Sequence, residues 1–212
     1  MSWQVARPSR PQSAPRTSTL VGERWGVSHV VMSFGARDGG AMLAQWLRLR
    51  IMERRQYRRK NNVYIDTIAL HDVPGTRLEI RNFGRDTAGG VAPMNPERWL
   101  SEYVEAVRTS HTMIFLFTEE WWKSQFCSLE LSHFRRENLD RVRQGRQPLR
   151  GIGLVFPDFR GGVPGGITPV RAERKYAVAS TEIRRSLGGN HREFYTVDDA
   201  TLGRVMGLIG TP

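Results

Sequence analysis

The chain has 212 residues, 39% of them hydrophobic and 25% charged, which are the proportions of a globular protein with one main core. Its formal net charge of +11 comes almost entirely from arginine and does not by itself predict nucleic-acid binding. No apolar run approaches the roughly 18 residues that span a bilayer, and the single cysteine excludes an internal disulfide.

Residues 1–26 are polar and punctuated by proline, which predicts a disordered or extended tail. This segment has no apolar stretch of the kind found in secretory signals, although its arginine, serine and proline content is also typical of organelle transit peptides. Residues 27–212 are predicted to form one domain. We expect a cytoplasmic protein with neither a membrane partner nor a specific nucleic-acid partner.

The first half of the domain begins with the apolar run HVVMSF (residues 29–34), which predicts a buried strand closed by the loop GARDGG. A helix follows, with four apolar side chains spaced to lie on one face: Leu43, Trp46, Leu47 and Ile51. Residues 62–70 (NVYIDTIAL) predict a second strand, and residues 71–96 a long glycine-rich loop of a length that is usually functional or mobile.

The second half continues the alternation of strands and helices. The predicted elements are a helix at 99–108, a strand at 112–118, a third helix at about 124–143, a strand at 149–156, a fifth strand at 192–197 and a final helix at 199–208. This alternation predicts a flavodoxin-like α/β sandwich whose five-stranded parallel sheet has the order 2-1-3-4-5. In that order, residues 35–39 and 119–122 meet at the carboxyl ends of strands one and three, where open α/β sheets bind ligands.

Glu130 is the most informative side chain of the third helix. At about 100° per residue it falls into an apolar stripe that the sequence completes with Phe126, Cys127, Leu131 and Phe134. A carboxyl group in such a stripe is paired, has its pKa raised by burial, or faces a pocket. A structural ion pair with one of the many arginines is the alternative interpretation.

Other candidate residues allow two interpretations each. One of Trp121 and Trp122 is expected to pack in the core and the other to line a pocket. Cys127 is expected to be a packing thiol, since no histidine stands in a Cys/His catalytic pattern. Arg37 and Asp38 form either a solvated turn or contacts to a phosphate and a sugar hydroxyl. The absence of zinc, Walker and GxGxxG motifs leaves no metal or cofactor predicted.

Three segments resemble the Toll/interleukin-1-receptor (TIR) domain family. HVVMSFGARDGG is similar to the family's first strand and loop, and NVYIDTIALHDVPG to its second strand and the start of its BB loop, here longer than usual. TMIFLFTEEWWKSQFCSLELSHF is similar to the third strand and a serine-x-tryptophan-cysteine-x-x-glutamate-leucine motif. That motif runs here from Ser124 to Leu131, with Phe126 in the tryptophan position. The resemblance covers roughly residues 28–156.

The resemblance implies a TIR-like fold and cleavage of NAD+, the substrate rather than a cofactor, into nicotinamide and linear, cyclic or conjugated ADP-ribose. Glu130 corresponds to the family's catalytic glutamate. The predicted substrate-binding residues are Phe34, Gly35, Ala36, Arg37, Asp38, Trp121, Trp122, Phe126 and Cys127. Self-association through TIR–TIR contacts, an upstream sensor or downstream effector, and a role in bacterial antiphage immunity are further expectations. A non-enzymatic TIR scaffold and a flavodoxin-like nucleoside N-glycosidase are the alternatives.

Overall fold

The computed structural model of the chain describes residues 27–35, 39–66, 96–172, 174–175, 194–195 and 197–209. The elements in chain order are β1 (Val30–Phe34), α1 (Gly40–Arg54), β2 (Val63–Tyr64), α2 (Pro96–Thr109), β3 (Thr112–Phe117), α3 (Glu119–Lys123), α4 (Gln125–Arg143), β4 (Arg150–Val155), β5 (Ile167–Arg171), β6 (Arg174–Lys175), β7 (Phe194–Tyr195) and α5 (Asp199–Leu208). Among the helices of these ranges, none has the length and apolarity needed to cross a membrane.

Strands β1 to β5 form one parallel sheet in the order β2-β1-β3-β4-β5. This confirms the predicted flavodoxin-like α/β architecture and its strand order. The central strands β1 and β3 are paired along the whole of β1, from Val30 opposite Thr112 to Phe34 opposite Leu116. Their carboxyl ends therefore lie side by side, with one connection leaving toward α1 and the other toward α3.

Helices cover both faces of the sheet, and successive β1 side chains alternate between them. Met32 and Phe34 pack in a core shared with α1 and α5, whereas Val31 packs in a second core shared with α2 and α4. Because both faces are covered, β1 and β3 are buried at every position. This is why they read in the sequence as continuous apolar runs.

The predicted position of the fifth strand is wrong. The strand that completes the sheet is β5, whereas the segment predicted for it contributes β7, which pairs antiparallel with β6 in a separate two-stranded sheet. β5 contains Pro169, and among the described residues it pairs with β4 alone, which puts it at the sheet edge, where proline is tolerated. The buried Tyr195 and Val197 pack in the core on the α1 side, which explains their strand-like pattern.

Two further boundaries differ from the sequence prediction. Strand β2 ends at Tyr64, and residues 67–70 of its predicted continuation lie outside the described residues. The segment 119–122, between the predicted third strand and third helix, forms the short helix α3. The Thr118 side chain caps this helix by accepting a hydrogen bond from the backbone N–H of Trp121 (3.2 Å). Ser124 caps the start of α4 in the same way, and α5 has the predicted bounds.

Two histidines lie close together at the amino end of the central strands. The rings of His29 and His111 are stacked with centroids 5.7 Å apart, and Nδ1 of His111 lies 2.9 Å from Oγ1 of Thr112. Burial, followed by the charge of His29 and of nearby arginines, lowers the pKa of His111 to about 4. Burial also lowers the pKa of His29. The His111 ring is therefore neutral in the folded protein near pH 6.

We expect acid to destabilise the fold through this pair. Between pH 6.5 and about 4 the unfolded chain binds a proton at His111 that the folded chain does not, so the free energy of unfolding falls as the pH falls through that window. The loss is about 1–2 kcal/mol, since the ring is partly solvated. Urea unfolding at pH 7 and pH 4.5 measures it. Between these pH values the free energy of unfolding should fall less in the His111→Asn variant than in the wild type. An equal fall in both proteins would contradict the role of His111.

Candidate functional site

Glu130 lies on the face of α4 that packs against the sheet. Its side chain is only 3% exposed, and Cys127 and Phe134, three residues before it and four after it, are buried beside it. The buried stripe predicted from helical periodicity is therefore present for these three residues. Phe126, predicted to belong to the same stripe, is 42% exposed and lies at its outer edge.

A chain of hydrogen bonds fixes the Glu130 carboxyl group to the sheet. The indole N–H of Trp121 donates to Oγ of Ser33 (2.7 Å), and the Ser33 hydroxyl donates to Oε2 of Glu130. Ser33 is the penultimate residue of β1, and Trp121 belongs to α3, which follows β3. The three side chains thus meet near the carboxyl ends of β1 and β3, the position that the topology predicts for a ligand site.

The two adjacent tryptophans have different environments. Trp121 is 3% exposed and makes an edge contact with Phe117 at a centroid distance of 4.6 Å. Trp122 is 55% exposed, and its ring rests against Phe159 in the loop after β4. The structure therefore answers which of the two is the core residue: it is Trp121. Trp122 presents an aromatic surface at the carboxyl edge of the sheet.

The surroundings of Glu130 are apolar and acidic. Burial raises its pKa well above the usual carboxyl range, and the negative charge of Asp66 and a hydrogen bond with Asp66 raise it further, against the opposing effect of Ser33. Within the described part of the chain, the Glu130 carboxyl group accepts a hydrogen bond from Ser33 and is affected by the charge of Asp66, and neither residue is a cation. The Tyr103 hydroxyl donates to the backbone carbonyl oxygen of Glu130 (3.5 Å). The alternative of a structural ion pair with an arginine is not found there.

Cys127 shares this environment. Burial and the neighbouring Glu130 charge raise the pKa of its thiol well above the usual range. Its side chain is 2% exposed and is the only thiol of the chain. A thiol held neutral in an apolar layer packs as a small hydrophobic group and does not supply a nucleophilic thiolate. The packing interpretation made from the sequence fits this geometry.

Sequence reasoning missed Asp66 as a member of the site. It lies just after β2, the strand next to β1, and was hidden within the apolar segment NVYIDTIAL. The signal that could have found it is its position in the chain. Asp66 lies two residues after Tyr64, which is the last residue of β2 and pairs with Val31, and Ser33 lies two residues after Val31. A polar residue just after the carboxyl end of a parallel strand lies at the edge where open α/β sheets bind ligands.

The first residue of α1 lies close to the residue that follows β1. Gly39 has a left-handed backbone (φ 86°), and a Cβ on Gly40 would lie 2.1 Å from the carbonyl oxygen of Gly35, so neither position accepts a larger residue without a shift. A Cβ on Gly35 would lie 2.8 Å from the carboxyl carbon of Glu120. The candidates Ala36, Arg37 and Asp38 lie outside the described residues.

The predicted binding residue Phe34 lies apart from Glu130. Its side chain is 8% exposed and packs in the core on the α1 side, whereas Glu130 bonds to Ser33 on the α4 side. Consecutive strand residues point to opposite faces, so a contact between Phe34 and a ligand at Glu130 would be through its backbone.

A second carboxyl group, that of Asp158 in the loop after β4, connects several elements at the carboxyl ends of the strands. Its Oδ2 accepts hydrogen bonds from the Tyr195 hydroxyl (2.5 Å) and from the backbone N–H of Glu119 (3.2 Å). It thereby connects the loop after β4 to the amino end of α3 and to β7. The negative charge suits a helix amino terminus. This contact, which the sequence did not predict, helps to place α3 and its Trp121 over the ends of β1 and β3.

A groove of about 450 Å³ lies away from Glu130, between the edge strand β5 and α5, and contains Arg171 and Arg204. Within the described ranges no three side chains of the metal-binding types converge on a common point.

Comparisons of the chain with protein-family models, with curated proteins and with solved structures found no match.

Proposed function

We propose that the chain is a TIR-family enzyme that cleaves NAD+ between nicotinamide and ribose, with Glu130 as its catalytic residue. The observation that carries this proposal is the buried Glu130 carboxyl group, held by Ser33 near the carboxyl ends of β1 and β3. No cation of the described residues contacts this carboxyl group. Burying a carboxyl group in such surroundings lowers stability, so its presence near a predicted ligand crevice is typical of a functional site.

The reaction breaks the bond between C1′ of the ribose and the pyridinium nitrogen. The bonding electrons leave with the neutral nicotinamide, and positive charge develops on the ribose, as in glycoside hydrolysis. Ionised Glu130 stabilises that charge or holds the ribose hydroxyls. Water then adds to C1′ and releases a proton, which gives ADP-ribose. Another acceptor at the same carbon gives a cyclic or conjugated product instead.

A cationic substrate fits the charge state of this site. Burial and Asp66 raise the pKa of Glu130 and favour its neutral form while the site is empty. A pyridinium ring placed beside the two carboxyl groups favours ionisation, because an opposite charge nearby stabilises the carboxylate. Binding of NAD+ therefore generates the charge that the reaction requires.

Two exposed aromatic side chains near the site suit the nicotinamide or adenine ring. Trp122 is 55% exposed and Phe126 is 42% exposed, and they lie on either side of Ser124, where α3 meets α4. Flat rings stack on such surfaces with little loss of conformational freedom. Arg37 is the residue that we assign to the pyrophosphate, and self-association through TIR–TIR contacts is part of the same proposal.

A nucleoside N-glycosidase is the second candidate, and the carboxyl pair is the observation that favours it. A neutral nucleobase leaves less readily than nicotinamide and needs a proton, which a protonated carboxyl group can supply. Burial and the charge of Asp66 raise the pKa of Glu130, which favours a protonated carboxyl group in this apolar layer. In that reaction one carboxyl group protonates the base while the other stabilises the sugar.

The three functional classes give different products in one experiment. The purified chain at low and high concentration is incubated with NAD+ or with a mixture of nucleosides, and released bases are separated by chromatography. Release of nicotinamide, rising more steeply than protein concentration, is the expected result. Release of nucleobases alone would favour the nucleoside enzyme. If neither substrate is consumed at any concentration, the enzymatic proposal fails and a TIR scaffold remains.

A further inference from the structure

The side chain of Ser33 lies between the Trp121 indole and the Glu130 carboxyl group. The indole N–H donates to Oγ of Ser33 over 2.7 Å, and the Ser33 hydroxyl donates to Oε2 of Glu130. An indole nitrogen can only donate, and a serine hydroxyl carries a single proton. Because Ser33 is 0% exposed, solvent does not compete for that proton. The donor and acceptor roles are therefore fixed along the whole chain from Trp121 to Glu130.

Aromatic packing holds the Trp121 ring in place. The ring makes edge contacts with Phe117 and Phe115, at centroid distances of 4.6 Å and 6.0 Å. Phe115 stands opposite Ser33 in the register of β1 and β3, and it makes another edge contact, at 5.2 Å, with Phe134 on α4. Buried side chains of β1, β3, α3 and α4 thus form one layer around the hydrogen-bond chain, which restricts how the Ser33 hydroxyl can be oriented.

The hydrogen bond from Ser33 opposes the other influences on the charge of Glu130. Burial and Asp66 raise the pKa of Glu130, whereas the bond from Ser33 lowers it. Further titratable groups around this site are neutral or acidic: Tyr64 in β2, Glu102 and Tyr103 on α2, Glu120 on α3 and Cys127 on α4. A hydroxyl that donates to a carboxylate stabilises the charged form. Among these neighbours, Ser33 is therefore the one that favours an ionised Glu130.

We propose that Ser33 is a positioning residue that holds the Glu130 carboxyl group in its working orientation, and that Trp121 sets the direction of the Ser33 hydroxyl. The hydrogen-bond chain itself does not depend on the reaction. Its kinetic consequence rests on the proposed function. In an NAD+-cleaving enzyme, loss of the Ser33 hydroxyl lowers the rate, because Glu130 is less often ionised and less precisely placed beside the ribosyl cation.

The direct test is an NMR titration of the full chain with ¹³C in its glutamate side-chain carboxyl carbons. The Glu130 signal is assigned by its loss in Glu130→Gln. We expect Ser33→Ala to raise the titration midpoint of Glu130 by about one pH unit, a tenfold change in proton affinity, because the carboxylate loses its hydroxyl donor. Trp121→Phe keeps an aromatic ring but removes the indole N–H. It should raise the midpoint by a smaller amount, since Ser33 then donates without the support of a second hydrogen bond.

The matched control is Ser110→Ala. Ser110 is also buried, and its hydroxyl donates to the backbone carbonyl oxygen of Val107 (3.2 Å) near the amino end of β3. This variant should leave the midpoint of Glu130 in place. If the alanine variant of Ser33 does not fold, Ser33→Cys replaces it, and its weak S–H donor should raise the midpoint by less than one pH unit.

A Glu130 midpoint that stays at the wild-type value in Ser33→Ala, or in Ser33→Cys where that variant is used, would overturn the inference. An unchanged midpoint in Trp121→Phe would refute the part assigned to Trp121.

Kinetics separate positioning from packing. In NAD+ hydrolysis, Ser33→Ala should lower kcat about tenfold and change KM less than about threefold, and Ser33→Cys should recover part of that loss. The acidic limb of the kcat/KM profile should move to higher pH with the NMR midpoint, because a larger share of Glu130 is then protonated at a given pH. A role in packing alone would lower the unfolding midpoint without moving that limb, which counts against the inference.

The two proposals fail in different ways. A shifted NMR midpoint in a chain that consumes no NAD+ supports the hydrogen-bond chain and refutes the proposed function. NAD+ cleavage with a rate and an acidic limb that ignore Ser33→Ala supports the proposed function and refutes the role of Ser33.

Discussion

Replacing Glu130 with glutamine should reduce NAD+ cleavage at least about 100-fold, the scale seen when one stabilising group of a transition state is removed. The glutamine amide has nearly the shape of the carboxyl group and can still accept a hydrogen bond from Ser33. It cannot become an anion beside the ribosyl cation. Nicotinamide release at saturating NAD+ measures the change, which should appear mainly in kcat because the charge acts in the transition state.

The same substitution should stabilise the fold at neutral and alkaline pH. Because the pKa of Glu130 is raised in the folded chain, the unfolded chain releases that proton first as the pH rises, and the wild type loses stability through that window. A neutral glutamine has no such loss. We expect a gain of about 0.5–2 kcal/mol at pH 8, the usual range for a substitution that relieves an unfavourable functional group, and little gain near pH 4.

The matched control is Glu105→Gln, which neutralises a glutamate on the surface of α2 that pairs with Arg108. It should change activity less than twofold and stability by about 0.5 kcal/mol or less. Wild-type turnover in a folded Glu130→Gln protein would refute the catalytic assignment. Lower stability of Glu130→Gln at pH 8 would show that the carboxyl group is structural.

The second large effect is expected at Arg141, a buried residue of α4 whose guanidinium group contacts the carboxyl end of α2. Its Nη2 donates to the carbonyl oxygens of Val107 (3.2 Å), Arg108 (2.9 Å) and Ser110 (2.8 Å), and its Nε donates to Glu137 (2.7 Å). The last carbonyl groups of a helix have no partner within the helix. Arg141, on α4, satisfies two of them, those of Val107 and Arg108, together with that of Ser110 just after α2, and so fixes how the two helices pack together.

Arg141→Met keeps a long apolar side chain but removes the charge that these carbonyl groups contact, and it leaves Glu137 with Arg146 as its cationic partner. We expect the free energy of unfolding to fall by about 3–5 kcal/mol, as when one partner of a buried charged network is removed. Guanidinium unfolding midpoints measure the loss. Arg143→Met, at a side chain that is 75% exposed, should cost about 0.5 kcal/mol or less. Equal midpoints for the two variants would contradict the role of Arg141.

The sequence predicts most of this fold because the central strands are buried on both faces. Apolar runs such as 112–117 can be assigned without knowledge of their partners, and the alternation with helices then determines the sheet order. The edge strand β5 lacks that signal. It contains Pro169 and is exposed at three of its five positions, so only its pairing with β4 identifies it as a strand. Tertiary contacts also explain why 194–195, with a strand-like pattern, belongs to another sheet.

The sequence predicts those residues of the candidate site whose position depends on a single helix or strand. Helical periodicity is enough to place Glu130 in a buried stripe, since a single helix turns its residues in a known way. Asp66, Ser33 and Trp121 come from three other segments, and their contacts depend on register and on the packing of α3. Phe126 was expected among the buried residues because helical periodicity alone does not show which side chains the neighbouring elements cover. In the first turn of α4, Cys127 is buried and Phe126 is 42% exposed.

Alkylation of the buried Cys127 can report how often the structure around Glu130 opens. Alkylating reagents modify thiolates that solvent can reach, and the chain has one cysteine, which lies one helical turn before Glu130. Each modification event therefore requires the layer between α4 and the sheet to separate. The labelling rate measures how often this layer opens, and a ligand that binds against Glu130 should slow the incorporation of label without touching the sulfur.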